Sequence, residues 1–198
     1  MPDRAVSVDR RTDILECACR VIARDGVDGL RMAAVAREAG VSSALLHYYF
    51  ATRQELVRQT FEYHELRETD RSVERLAAIA DPILRIRDLL AHELSDDEAV
   101  REGWILWGEM ERMAVFNPAL RASVVDRASR WWGSVAELVA AAQDAGRVDP
   151  EIDAASAALR LTCVVDAIGI HVLLGTVRRT MALRELDAAL RDILRLGR

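Results

Sequence analysis

Apolar residues recur at helical spacing through almost the whole chain, and capping signatures cut that pattern at intervals. Ile14, Leu15, Ala18, Val21 and Ile22 fall at i, i+3, i+4 positions, which predicts a first helix over about 10–25 with Gly26 closing it. A short helix follows at about 31–39, then Gly40-Val41-Ser42, then a third helix at about 43–50 with Leu46 and Phe50 one turn apart. Thr52 with Glu55 three residues on forms a capping box and opens a long fourth helix to about 79. Asp81-Pro82 and Asn117-Pro118 each pair a capping side chain with a proline suited to the first helical position. They open helices to about 94 and about 145, and Ser95-Asp96-Asp97 opens another between them, to about 116. Gly146 ends the seventh helix. Two more follow at about 153–175 and 181–196, the last with Leu183, Leu186, Leu190, Ile193 and Leu194 on one stripe. No period-2 strand pattern stands out, so the reading is all-α, about nine helices, with a loose tail over 1–9. At 198 residues this is one domain, or two small ones sharing a continuous helix.

Residues 30–50 carry the sharpest signal. Two short helices meet at a glycine turn: Ala36 and Ala39 are small enough for a close crossing, Gly40 suits the turn, and Val41 and Leu46 plug the wedge. This is the build of a helix-turn-helix, whose second helix can lie in a DNA major groove. With Leu46 and Phe50 inward, Ser42, Ser43, Leu45, His47, Tyr48 and Tyr49 are left to project. Hydroxyls, phenols and a ring N–H donate to phosphate oxygens and base edges, and Leu45 suits a thymine methyl. Arg31 and Arg53 flank the module at helix starts, where anions are already favoured. The structural alternative is that Tyr48 and Tyr49 close the core beneath the fourth helix. The joint occurrence of turn and donors favours the groove.

Residues 10–56 resemble the DNA-binding domain of the TetR family of bacterial transcriptional regulators. The resemblance rests on the amphipathic first helix, Gly26, Val35-Ala36, Ala39-Gly40-Val41-Ser42, the aromatic cluster ending in Phe50, then Arg53 and Leu56. There are departures. His47 stands where the family usually has Tyr, and Ser43 where it often has Lys or Pro. Ala44 replaces a usual Gly, Arg31 and Met32 share the place of a common Thr, and Arg53 replaces a Lys. Carried over by position, the DNA-binding set is Arg31, Met32, Ser42, Ser43, Ala44, Leu45, His47, Tyr48, Tyr49 and Arg53. The resemblance implies a DNA-binding domain over 10–53 and a helical ligand-binding and dimerisation domain over 54–198. It also implies a homodimer through the last two helices on a pseudo-palindromic double-stranded DNA operator. Within the family the commonest role is a repressor released by an effector, read here as a small apolar or amphipathic molecule bound in the C-terminal helical domain. An activator, a ligand-independent regulator and a helical protein-interaction module are the alternatives.

Charge fits this division loosely. All 27 basic residues are Arg. Residues 1–53 hold eight Arg against seven acidic residues, and 54–198 hold nineteen against twenty-five, which slightly favours a cationic effector. All four Trp lie between 104 and 132, and Trp104, Trp107, Met110, Met113, Phe116 and Trp131 suggest an apolar pocket against a plain-core alternative. Asp166 and His171 interrupt the apolar eighth helix. Asp166 can meet a cationic ligand, pair with an Arg across a dimer or cap a neighbouring helix, whereas His171 reads first as a core histidine. Glu109 and Glu111 read as solvated face, with one turning toward the pocket as the alternative. Residues 157–175 are apolar around most of the helix, with Gly169 and Gly175 permitting close approach, which calls for burial on all sides by a partner subunit.

Cys17, Cys19 and Cys163 show no metal spacing and read as small buried hydrophobes. No nucleophile elbow, phosphate loop or HExxH occurs, so neither an enzyme nor a bound cofactor is expected. Met1-Pro-Asp-Arg has no apolar stretch behind it, and no apolar run reads as a membrane span, so a cytoplasmic protein is expected.

Overall fold

A computed structural model describes residues 3–197, and among these are nine α-helices and no strand. They are α1 (Asp3–Gly29), α2 (Met32–Glu38), α3 (Ser43–Tyr49), α4 (Arg53–Ala77), α5 (Pro82–His92), α6 (Glu98–Phe116), α7 (Pro118–Asp144), α8 (Ala154–Leu173) and α9 (Arg179–Ile193). α1 begins at Asp3 rather than near residue 10, so helix replaces most of the expected tail. Met1 and Pro2, also assigned to that tail, lie outside the described residues.

The helix starts fall where the polar side chains put them, because each unpaired N-terminal N–H needs an acceptor. Asp81 accepts from the N–H groups of Ile83 (2.8 Å) and Leu84 (3.2 Å), Asp97 from Ala99 (2.9 Å) and Asp153 from Ala155 (3.1 Å). Thr52 Oγ1 accepts from the N–H of Glu55 at 3.1 Å. The returning bond of this capping box lands one residue early, with the Glu55 carboxylate accepting from Ala51 at 3.1 Å.

The chain divides into two compact units. The first runs to Asp70 and takes in Ile105–Met113 of α6; the second takes Arg71–Trp104 and the chain from Ala114 onward. In the first, Ile14, Ala18, Val21 and Ile22 of α1 are buried together with Val35, Leu46, Phe50 and Leu56 from α2 to α4. Cys17 and Cys19 are buried here, and burial pushes the Cys17 thiol above its ordinary value although Arg20 beside it works the other way. In the second unit, α5, α7, α8 and α9 enclose a core that includes Ile86, Leu90, Val139, Leu161, Leu186 and Leu190. Arg87 on α5 reaches both carboxylate oxygens of Asp187 on α9, at 2.7 and 3.1 Å. That half-exposed pair contributes about 0–1 kcal/mol. Each buried Leu contributes about 1.5–3 kcal/mol, so the apolar layer dominates.

α8 bears on its sequence reading in three ways. By length and composition alone it is apolar enough to cross a membrane, although no uninterrupted apolar run of that length exists. One face (Ala157, Ala158, Leu161, Thr162, Val165) is buried in the bundle. The opposite face, with Leu159, Arg160, Cys163, Asp166, Ile170 and His171, is exposed in the single chain. The helix is therefore not buried on all sides within its own subunit, and Cys163 is not a core residue. Third, Gly169 receives a side chain of its own subunit, Trp104.

Candidate nucleic-acid interface

The helix-turn-helix is assembled by backbone geometry at Gly40 and side-chain burial on either side. α2 closes in a Schellman motif: the N–H of Val41 bonds the carbonyl of Ala36 at 2.9 Å and that of Gly40 bonds Arg37 at 3.2 Å. Gly40 takes φ +64°, the left-handed conformation this motif requires. Ser42 then caps α3, its Oγ accepting from the N–H of Leu45 at 3.1 Å. Leu46 and Phe50 are fully buried, and the guanidinium of Arg11 lies 5.6 Å over the Phe50 ring.

Burying Leu46 and Phe50 fixes the phase of α3 and so decides what faces outward. Ser42, Ser43, Ala44, His47 and Tyr48 are exposed, with Tyr48 at 81%. Leu45 and Tyr49 sit half-buried at the flanks, and the two tyrosine rings meet edge to face at 5.3 Å. Arg31 is exposed on extended backbone (φ −116°, ψ 133°) directly before α2, and Met32 beside it is half-buried. Of the ten residues carried over from the family pattern, Arg31, Ser42, Ser43, Ala44, His47 and Tyr48 are exposed, and Met32, Leu45, Tyr49 and Arg53 are half-buried.

Arg53 differs from its sequence reading. Its Nε donates to the carbonyl of Leu30 at 2.8 Å and its Nη2 to the carbonyl of Val27. The half-buried guanidinium at the start of α4 thus serves the Leu30 carbonyl and adds a second donor to the Val27 carbonyl, which already accepts from the Leu30 N–H at 3.0 Å. Glu109 also differs. It is neither on a solvated face nor in the cavity described below; its Oε2 accepts from the N–H of Val27 at 2.7 Å, and its side chain is 22% exposed. The only trace of either contact in the sequence is the conformational break at Gly26, which leaves backbone groups to be satisfied.

The second unit holds a cavity of about 280 Å³ lined by Glu93, Ser95, Asp96, Arg101, Trp104, Gly169, Val172 and Leu173. The Trp104 indole N–H donates to the carbonyl of Glu93 at 2.8 Å. Of the eight expected pocket residues, Trp104 lines this cavity. Trp131 packs against the core of the second unit, and Phe116 is 85% exposed. Asp166 and His171 lie on the exposed face of α8; His171 Nδ1 is 3.0 Å from Thr176 Oγ1, which donates to the His171 carbonyl, so this histidine fastens the helix end and is not a core residue. Trp107, Met110 and Met113 fall in the stretch of α6 that belongs to the first unit, with Met110 buried. Helix geometry explains the dispersal. Positions 104, 107, 110, 113 and 116 are three apart, and each step falls about 60° short of a full turn, so the series walks around α6 instead of forming a stripe.

Comparison with known proteins covers both units. Residues 14–60 match the model of bacterial regulatory proteins of the tetR family, and residues 82–195 match that of the BetI-type transcriptional repressor C-terminal region. The HTH-type transcriptional regulator BetI of Rhizobium meliloti (strain 1021) is 30% identical over 127 residues, covering 64% of this chain and 60% of that protein. BetI of Brucella melitensis biotype 2 (strain ATCC 23457) is 32% identical over 108 residues, covering 54% of each chain. The match therefore spans little more than half the length of these relatives. Among solved structures, a protein from Rhodococcus sp. assigned as a TetR-family transcriptional regulator shares 27% identity at a TM-score of 0.83, covering 94% of this chain and 99% of that one. A protein assigned as a transcriptional regulator from Saccharomonospora viridis, solved in complex with choline, shares 28% identity at a TM-score of 0.81, covering 96% and 100%.

Proposed function

The chain belongs to the TetR family of bacterial transcriptional regulators, and from that premise we propose that it is a homodimeric repressor of the bacterial cytoplasm, released from its operator by a small cationic effector. The observation that carries this reading is the outward face of α3. Ser43, His47 and Tyr48 present donors on a helix whose opposite face is fully buried, and Tyr48, which meets the edge of Tyr49, is still 81% exposed. Arg31 stands at the start of the preceding helix as a phosphate contact, and Leu45 at the flank of α3 as an apolar contact to a base. Arg53 acts indirectly, by fixing the turn that leads into α2.

Dimerisation is supported by the face of α8 that its own chain leaves open. Leu159, Cys163, Ile170 and Leu174 recur there at four- and seven-residue spacing, with Met181 of α9 also exposed. A two-fold pairing through this face would set two α3 helices over two half-sites. A cationic effector is supported by the BetI-type match of the second unit and by the choline held by the Saccharomonospora viridis protein. The cavity lining includes the Trp104 indole and two acidic residues, Glu93 and Asp96, groups that attract a quaternary ammonium, together with the cationic Arg101. Such an effector acts by binding one conformational state better than the other.

Selection of binding sites from a random duplex library, followed by salt and choline titrations of the winner, tests this function. The expected result is a two-fold pseudo-palindrome whose affinity falls steeply with salt and falls again on adding choline. Recovery of no enriched sequence would overturn DNA recognition by α3. A palindrome indifferent to choline would overturn the effector assignment and leave the regulator.

A further inference from the structure

The corner between α1 and α2 is held on both sides of its backbone. α1 breaks at Gly26, where φ 70° and ψ 169° form a conformation suited to glycine alone. The next N–H, that of Val27, points at α6 and donates to Glu109 Oε2 at 2.7 Å, across 82 positions of sequence. The carbonyls of Val27 and Leu30 point at α4 and accept from Arg53. Arg31 follows at once on extended backbone and opens α2. The few peptide units that aim the helix-turn-helix are thus gripped at a donor by α6 and at two acceptors by α4.

The grip from α6 is specific. A carboxylate accepting from a backbone N–H is a charge-assisted bond, shorter and stronger than a neutral one. Arg112, one turn further along α6, stands 3.5 Å from the same Glu109 oxygen and 3.2 Å from Asp28. The Asp28 side chain is largely exposed, so that ion pair adds little energy. α6 is one uninterrupted helix, and Trp104 at the cavity wall precedes Glu109 by five residues, about 7.5 Å along its axis.

We propose that Glu109 is the positioning residue of the helix-turn-helix: its carboxylate reports the state of α6 to the Val27 N–H and so sets how α2 and α3 leave α1. The inference rests on the DNA-binding reading above, but its contact is measurable without DNA. Three variants form the test: Glu109→Ala, Glu109→Gln, whose amide oxygen can still accept from Val27, and Trp104→Phe, a mild disturbance of α6 at the cavity wall. The first readout is amide hydrogen exchange at Val27. Exchange should quicken in Trp104→Phe and in Glu109→Ala, quicken no further in the double variant, and stay near wild type in Glu109→Gln. The second readout is affinity for the selected operator. Trp104→Phe should change it by about fivefold or more in the parent chain, the scale of ordinary allosteric coupling. In the Glu109→Ala background the change should shrink to within about twofold, and Glu109→Gln should restore it. A protein merely destabilised at residue 109 would show the two substitutions multiplying independently, and that result overturns the proposal. Unchanged Val27 exchange in Glu109→Ala overturns it too. If no operator is recovered, the DNA-binding reading fails by itself, and the exchange cycle still decides whether α6 governs the corner.

Discussion

Arg31 and Arg53 have similar sequence settings, since each stands at the start of a helix beside the recognition module, yet their surroundings separate them. Arg31 is exposed, while Arg53 spends two donors on the carbonyls of Val27 and Leu30. Arg31→Ala is therefore expected to leave thermal stability within about 0.5 kcal/mol of the parent. It should weaken binding to all DNA sequences alike and reduce the salt slope by about one. Arg53→Ala should instead cost about 1–3 kcal/mol of stability, because two buried carbonyls lose charged donors. Thermal melting beside a salt titration checks both, and equal melting points for the two variants would refute the distinction. The outward positions Ser42, Ser43, His47 and Tyr48 were legible from residues 42–50, because burial of Leu46 and Phe50 one turn apart sets the helix phase, whereas Leu45 and Tyr49, expected to project with them, are half-buried. The partners of Arg53 were not legible, because they lie 23 and 26 residues away and only the folded corner brings them near.

Among the elements, α6 and α8 show what periodicity can and cannot convey. The aromatic and methionine residues of α6 form one group in the sequence, but three-residue spacing disperses them around the helix. On α8, Gly169 suggested an approach by a partner helix, and it receives the Trp104 ring instead. A Cβ at position 169 would stand 2.6 Å from Cη2 of Trp104 and closer still to Cζ2. The indole cannot swing away without breaking its bond to the Glu93 carbonyl. Gly169→Ala would gain about 1 kcal/mol of helix propensity. Overpacking against a fixed ring costs about 1–3 kcal/mol. The net expectation is a loss, read as a melting point lower by a few degrees with a changed tryptophan emission. Trp104→Phe in the same chain should recover part of it. A melting point raised by Gly169→Ala alone would mean the ring yields freely.

For the whole molecule, the outer face of α8 has no cover from the described residues of its own chain. Ile170 is 40% exposed and Leu174 66%, on a helix whose other face is deep in the bundle. Ile170→Arg should leave the fold of each subunit intact, since it removes little buried area. It should nevertheless shift sedimentation from dimer to monomer and remove operator binding, because a single α3 reads only a half-site. A dimer of unchanged strength in this variant would place the subunit contact elsewhere.

The sequence by itself determined the all-α class, the helix starts at Thr52, Asp81, Asp97 and Asp153, the Gly40 turn and the inward and outward sides of α3. These follow from local chemistry: a cap lies within three residues of the N–H it serves, and a helix repeats every 3.6 residues. Tertiary structure alone decided that Arg53 and Glu109 hold one corner, that Trp104 rests on Gly169 and that α8 keeps one face open. Those outcomes depend on which backbone groups and surfaces remain unsatisfied after the helices have formed. Their partners come from positions 23 to 82 residues away, and no local pattern encodes such a meeting.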